Sequence, residues 1–540
     1  MTKILGLWSG HDCSFCVFED GKPIIHAELE RYIREKEPKG DAVEFAESVL
    51  GSFEDIDYIT TAFPSALLTK KDSYRKIKHL PQFVFGHHQS HAAHAFFSSN
   101  LKDAIILTID GGGVEDDKGT ETATTVWRGT DTQLKHVETI PASEMNIGGL
   151  WTRVTRYIFR LQNGWPQGHQ AGTVMAMAAL GNPDRFRSDF AKMLREDLLS
   201  ASMKPMGQPV GAYVPGKDPV HPYLDRWAQI AQQSEQDKFD LAAGLQAATE
   251  DQIFELVDRI LPVRPRAPGR PIDLCIAGGV ALNSVVIGKL LDQFESRLNS
   301  IYVPPVPYDA SMCLGSAQYL WHHELWNERI KWEDNFTPYL GEQHGSAVPT
   351  LEKFTDKVTW RKTDDDEVVD LLSSGKIVAV FHGGSESGRR ALGNRSILAD
   401  PRDPDMKDKI NEKVKKRAWY RPFAPTVLRE CVSDWFVRDV SSPYMSHVIK
   451  FKEERKKLVP AVVHFDGTAR LQTVSRKDNA WYYDLIKKFE RKTGVPIILD
   501  TSYNESEPVV ENAAHAIQCY LRTEIDYIYF VEDGLLVERK

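Results

Sequence analysis

Three times in this chain an apolar run stops abruptly at small or acidic residues. Lys3-Ile4-Leu5-Gly6-Leu7-Trp8 runs into Gly10-His11-Asp12. Ala104-Ile105-Ile106-Leu107-Thr108-Ile109 runs into Asp110-Gly111-Gly112-Gly113. Ile272-Asp273-Leu274-Cys275-Ile276-Ala277 runs into Gly278-Gly279. A short apolar run bounded by turn residues is a strand buried in a sheet, and glycines at its end let backbone pass close to a ligand or a neighbouring strand. Repetition of this unit constrains the chain to an α/β architecture whose strand ends carry chemistry.

The first unit continues through Ser14-Phe15-Cys16-Val17-Phe18, a turn at Asp20-Gly21 and Pro23-Ile24-Ile25-His26-Ala27, which predicts an antiparallel meander. A helix follows between Asp41 and Leu50, then a strand from Ile56 to Thr61. With two strand-to-turn units of this kind, Gly-His-Asp and Asp-Gly-Gly-Gly, the pattern points to a duplicated half-domain, as in the actin-like (ASKHA) ATPase fold. In the third unit, Val280-Ala281-Leu282-Asn283 is expected to open a helix whose first N–H groups face a ligand. The middle of the chain is mainly helical and includes Gln170 to Gly181, and Met203 to Pro222 reads as a Gly/Pro-rich loop. Gly341 to Pro349 is the expected linker, before a helix from Asp366 to Leu372 and a strand from Ile377 to Phe381. This divides the chain into domains 1–345 and 346–540.

At 540 residues the chain exceeds what one core usually fills. A net charge of -9 disfavours general binding to nucleic acid or anionic membranes. There is no apolar stretch of membrane-spanning length and no signal-peptide layout at the start, so a cytoplasmic location is expected. Cys13, Cys16, Cys275, Cys313, Cys431 and Cys519 are scattered, and buried packing is expected for all six. For Cys13 and Cys16, the spacing on a strand sends the thiols to opposite faces.

His87-His88-Gln89-Ser90-His91 offers a metal site. His87 and His91, four apart, project from one face of a helix, and Asp110, with Asp309 as a second candidate, can add carboxylate oxygen. Such a mixed set suits iron, manganese or zinc. His88 and His94 are assigned to packing or outer-shell hydrogen bonds. A separate basic region collects Arg389, Arg390 and Arg395 around Gly393, then Lys415, Lys416, Arg417 and Arg421, and Arg470, with Ser502 and Asn504 as further donors. Interleaved Gly, Pro, Trp and Phe distinguish it from a solvated basic helix and suit it to phosphate oxygens.

At these residues the chain resembles the NodU-type O-carbamoyltransferases, which modify hydroxyls of nodulation factors, aminoglycosides and other specialised metabolites. The resemblance runs through Gly10-His11-Asp12, Glu30-Arg31 with Arg34 and Lys36, His87 to His91, Asp110-Gly111-Gly112, Gly278 to Asn283, Arg390 to Pro401, Arg421 to Pro425 and Asp466 to Arg470. It implies an actin-like N-terminal domain and a YrdC-like α/β C-terminal domain. It also implies that ATP, with Mg(2+), and carbamoyl phosphate give carbamoyl-adenylate in the C-terminal domain, and that a hydroxyl of a small metabolite attacks this intermediate in the N-terminal one. By motif, His87, His91, Asp110 and Asp309 would hold Fe(2+), with Mn or Zn as alternatives, and His11 would be the acceptor's general base. Lys36, Gly111, Gly112, Gly278, Gly279 and Asn283 would contact the nucleotide in the N-terminal site. Arg390, Lys415, Arg421, Arg470, Ser502 and Asn504 would hold ATP and carbamoyl phosphate.

The chain departs from its relatives at Thr173, where many carry lysine, at Gly384, often arginine, at Ser387, often a bulky aromatic, at Asp500, usually asparagine, and at Ser506, often glycine or asparagine. Two other functions compete: carbamoylation of a macromolecule such as tRNA, disfavoured by the acidic balance, and a non-catalytic nucleotide sensor on an actin-like fold. The acceptor and the oligomeric state are not readable from the sequence.

Overall fold

A computed structural model describes residues 1–142, 144–161, 170–195, 222–261 and 271–540; the expected Gly/Pro loop, up to residue 221, lies outside them. The chain divides into two compact units. Met1–Ile24, Glu28–Glu30 and Glu35–Lys331 form one, and Ile25–Ala27, Arg31–Arg34 and Trp332–Lys540 form the other.

The first unit contains two five-stranded sheets of the same topology. One is built from β1 (Lys3–Trp8), β2 (Ser14–Glu19), β3 (Lys22–Glu28), β4 (Tyr58–Ala62) and β5 (Gln82–Phe85), in the order β3-β2-β1-β4-β5. The other is built from β6 (Asp103–Val114), β7 (Glu121–Thr130), β8 (Gln133–Ile140), β9 (Ile272–Ala277) and β10 (Leu298–Tyr302), in the order β10-β9-β6-β7-β8. In each, the first strand pairs antiparallel with the second and parallel with the fourth. The same plan twice in one chain is the duplicated actin-like fold expected from the strand-end units. The opening meander is present, and the strand expected at Ile56 begins at Tyr58.

Equivalent places in the two halves supply equivalent helices. The helix His87–Phe97 follows β5, and a 3-10 turn, Asp309–Ser311, with the helix Met312–Tyr319, follows β10. Ala92, Phe96 and Phe97 share one buried cluster with Cys313, Leu314 and Ala317. The two helices meet so closely that a Cβ on Gly315 would lie 1.9 Å from the Ser90 carbonyl oxygen. Any larger residue at 315 would push the histidine helix away from the Asp309 turn.

Two expectations need correction. Gly279–Leu282 is a 3-10 turn, and the α-helix begins at Ser284 with Asn283 as its cap. Asn283 accepts the Val286 N–H, which satisfies one of the helix's unpaired donors. Five cysteines are buried as expected, but Cys431 is partly exposed. Cys13 precedes β2, so its spacing from Cys16 is not a strand spacing.

The second unit is a mixed nine-stranded sheet with helices, again α/β. Its strands are β11 (Val358–Lys362), β12 (Val378–Phe381), β13 (Arg395–Ala399), β14 (Ala424–Leu428), β15 (His447–Lys450), β16 (Thr468–Val474), β17 (Ile497–Ser502), β18 (Tyr527–Phe530) and β19 (Leu535–Arg539). Their order is β11-β19-β18-β12-β13-β17-β14-β16-β15. The helix Asp365–Ser373, capped by Asp364, and the strand β12 occupy the positions expected from the sequence. Val378, Val380, Ile397, Val427, Ile497 and Ile528 are among the core residues.

Candidate metal centre and anion pocket

In the first unit, His87, His91, Asp110 and Asp309 present one ligand atom each, all within 4.8 Å of one another. The duplicated topology accounts for the convergence. His11 and Asp110 stand at the end of the first strand in their respective halves, and the two histidines and Asp309 stand just after the fifth.

The helix carrying the histidines is fixed at its start by two carbonyl-type acceptors. The Gly86 N–H donates to Gln89 Oε1 at 3.0 Å and the His88 N–H to Glu115 Oε1 at 2.8 Å. His88 itself packs inward, against Thr108 Oγ1 at 2.7 Å and the Thr122 carbonyl at 3.0 Å, and burial with two neighbouring imidazoles lowers it to about 3. His94 faces Gln318 and Ser98, so both take the packing roles expected. A Cβ on Gly113 would lie 2.3 Å from the His87 ring, so only glycine leaves room for that side chain.

Asp110 is held from both sides. The Gly111 N–H donates to Oδ1 at 2.6 Å, and the Gly279 N–H donates to Oδ2 at 2.9 Å, while His91 Nε2 lies 3.1 Å from Oδ2. Burial would raise the Asp110 carboxyl, but the His91 hydrogen bond and the nearby imidazoles take it below its usual value. Asp309 is held well below the carboxylate range against the cost of burial, chiefly by His11 and His87. Two carboxylates about 4 Å apart repel by roughly 4 kcal/mol at an effective dielectric of about 20. The pocket therefore favours a positive charge between them. His87 Nε2 is buried and has no hydrogen-bond partner. An orphaned imidazole nitrogen beside two carboxylates and a second histidine is a donor set that fits a divalent transition metal.

His11 lies in the turn after β1, with 41% of its side chain exposed. Its Nδ1 is 2.9 Å from Asp12 Oδ2 and its Nε2 is 3.0 Å from Asp309 Oδ2. Desolvation lowers the ring, but Asp309, Asp12 and Glu37 together carry it up to about 10. In this state it is an imidazolium, the conjugate acid of the base expected from the sequence, and neutralising Asp309 favours the base form. Lys36 is half-buried in the loop just before Glu37. Gly112 is in the extended end of β6, and the Gly278 N–H donates to the Pro307 carbonyl at 2.7 Å. Asn283 is turned to structure: its amide donates to Gln246 Oε1 at 2.9 Å.

In the second unit the sequence-predicted donors fall into two groups. Lys415 Nζ donates to the Ser502 carbonyl at 2.6 Å, to the Asn504 carbonyl at 2.8 Å and to Asn504 Oδ1 at 2.7 Å, with Ser502 Oγ at 3.3 Å. Around Arg470 stand Arg390, Arg421 and Arg417. Burial first, then the repulsion of these three, depresses the Arg470 guanidinium well below its usual range. Four guanidinium groups gathered in this way are an anion site by charge alone. Arg395, grouped with them in the sequence, turns inward instead: it donates to the His382 and Gly383 carbonyls at 2.6 and 3.0 Å and lies over the Phe381 ring. Its place at the start of a fully buried strand explains the difference.

Several neighbours escaped the sequence reading. Glu115 braces the histidine helix, and Ser311 Oγ lies 3.4 Å from His91 Nδ1. Neither stands in a recognisable pattern. Asp12, adjacent to His11, had a signal in its position, as did Arg417, inside the basic run.

The fold and these two sites define an α/β enzyme with a cation-type centre on an actin-like unit and an anion pocket on a second unit. Residues 8–318 match the family described as carbamoyltransferase N-terminus and residues 369–539 match carbamoyltransferase C-terminus. The chain belongs to the carbamoyltransferase family and is a carbamoyltransferase. It is 34% identical to nodulation protein NolO of Bradyrhizobium diazoefficiens over 82% of this chain and 76% of that protein. It is 33% identical to nodulation protein NolNO of Sinorhizobium fredii over 96% of this chain and 77% of the other. Among solved structures, full-length HypF in a phosphate- and nucleotide-bound form aligns with 59% of this chain and 55% of its own, at 14% identity and a TM-score of 0.34. Among the described residues, no helix is long and apolar enough to cross a membrane.

Proposed function

We propose that this chain is an ATP-dependent O-carbamoyltransferase that moves a carbamoyl group from carbamoyl phosphate, through carbamoyl-adenylate, to a hydroxyl of a small specialised metabolite. One observation supports this above all: the carbamoyltransferase match spans both units, and each unit carries its own charged pocket, one suited to a cation and one to anions. In this reading residues 346–540 form carbamoyl-adenylate and residues 1–345 transfer it. Adenylation turns a sluggish carbamoyl group into one with a good leaving group, releasing pyrophosphate, and transfer to the hydroxyl releases AMP. Arg390, Arg421 and Arg470 neutralise the phosphate charge that develops during adenylyl transfer, with Lys415, Ser502 and Asn504 beside them.

In the first unit, His87, His91, Asp110 and Asp309 would hold the metal, Fe(2+) by the family pattern, which supplies Lewis acidity toward the carbamoyl oxygen. His11, partly exposed beside them, takes the proton of the attacking hydroxyl in its neutral form. Replacing His87 by alanine should lower bound metal at least about tenfold, as measured on protein purified after ferrous loading. Retention of full metal content would remove His87 from the ligand set.

The proposal is tested by supplying purified protein with ATP, carbamoyl phosphate, magnesium and ferrous ion, with no acceptor. Pyrophosphate release that requires carbamoyl phosphate is the expected result, with AMP following only on addition of an acceptor. Nucleotide binding without such release would favour the sensor reading. Carbamoylation of tRNA is the weaker alternative, because a chain of charge -9 lacks the broad basic surface it requires.

A further inference from the structure

Asp500 occupies the middle of β17, next to the arginine pocket, and its carboxyl group is only half used. Tyr482 donates its hydroxyl to Oδ2 at 2.9 Å, and Thr426 Oγ1 is 3.4 Å from the same oxygen. Oδ1 is buried and without a hydrogen-bond partner, on a residue that is 1% exposed. An unpaired acceptor in such a place is expensive and calls for an explanation. Burial, opposed by Ser396, Tyr482 and Thr426, pushes this carboxyl up to about 7.

A second orphan stands close by. Arg470 Nε is likewise buried without a partner, and the charge of Asp500 acts on this guanidinium. The sheet register shows why. Asp500 pairs with Ala424 across β17 and β14, and Thr426 pairs with Gln472 across β14 and β16. Two residues earlier in the same register, Arg470 falls beside Ala424. Residues opposite one another in adjacent strands share a face, so Arg470, Ala424 and Asp500 form one row across three strands. Two strand spacings, roughly 4.8 Å each, separate the outer two, and the residue between them contributes only a methyl group. The row therefore presents a donor, a gap and an acceptor.

We infer that this row is the recognition slot for the carbamoyl group of carbamoyl phosphate: Arg470 Nε–H donates to the carbamoyl oxygen, Asp500 Oδ1 accepts an N–H from the carbamoyl nitrogen, and the phosphate faces Arg390 and Arg421. The inference rests on the proposed reaction. It makes Asp500 a specificity-determining residue, because a primary amide has an acceptor on one side and donors on the other, matching the two orphans. Acetyl phosphate keeps the carbonyl and the phosphate but replaces the amino group by methyl, which would leave Oδ1 unpaired in the complex. Sites built around a substrate N–H reject the analogue lacking it strongly.

The test compares the two acyl phosphates as ligands. The full-length protein with ATP and magnesium is titrated with carbamoyl phosphate, read by pyrophosphate release, and with acetyl phosphate as competitor. The wild type should prefer carbamoyl phosphate by at least about 10²-fold. In Asp500→Ala this preference should fall to within about tenfold, and in Asp500→Asn, which retains an oxygen acceptor of the same reach, it should be largely restored. A merely structural aspartate would weaken both ligands together and leave their ratio intact, which overturns the inference. A wild-type ratio near one overturns it as well, without reference to any variant. Absence of carbamoyl phosphate-dependent pyrophosphate release in the wild type would instead sink the proposed reaction.

Discussion

Arg470→Ala should lower carbamoyl phosphate-dependent pyrophosphate release by at least about 10³-fold, the scale on which a single arginine acts at a transferring phosphoryl group. Such a loss corresponds to about 4 kcal/mol of transition-state stabilisation. The expectation follows from its surroundings. Arg470 is ringed by Arg390, Arg417 and Arg421, each of which depresses it, so without an anion the cluster is self-repelling. An arrangement that costs stability in the empty protein and gains its compensation only on binding is the usual trade between stability and activity. The same substitution should therefore leave the melting temperature unchanged or raise it, since it removes a repelled, buried cation. A fall in pyrophosphate release with a fall in melting temperature would point to a structural role, and release within tenfold of wild type would take Arg470 out of the site.

What could be read from the sequence was the part encoded by local pattern. The strand-end units showed the duplicated fold because each combines an apolar run with an abrupt stop, and the two sheets repeat that plan. The i, i+4 spacing of His87 and His91 was visible because it depends on helix geometry alone, and the structure gathers both with Asp110 and Asp309. No hydrophobic period marked that helix. It is buried on nearly every side, and its histidines are held by polar partners from other strands, such as Thr108 and Thr122. Partners brought in from far along the chain left no trace: Glu115 lies 27 residues from His88, and Gln246 lies 37 from Asn283. Arg395 was misplaced for a related reason. A run of arginines carries no record of which guanidinium turns inward, whereas the strand that starts at Arg395 decides it. Asp500 was visible as a departure from its relatives, but its unpaired oxygen belongs to the sheet register, which places Ala424 beside it.

His11→Asn should abolish carbamoyl transfer to an acceptor while leaving carbamoyl phosphate-dependent pyrophosphate release within a few-fold of wild type. Asparagine can still hydrogen-bond Asp12 or Asp309 and keep the turn after β1 in place, but it cannot take a proton at neutral pH. Loss of a positioned general base typically costs about 10²–10⁴-fold. The pH dependence adds a second signature, and its sign follows from the ring's environment. Asp309, Asp12 and Glu37 raise His11 above the ordinary imidazole value of 6.5. The ring serves as a base only where it is neutral, above its pKa. Transfer by the wild type should therefore rise with pH, with a midpoint above that value, and this rising limb should be missing from whatever residual transfer His11→Asn retains. The measurement is AMP release and carbamoylated product as a function of pH, with pyrophosphate release followed in parallel. Loss of both half-reactions in the variant, or an unaltered pH limb, would exclude His11 as the acceptor's base.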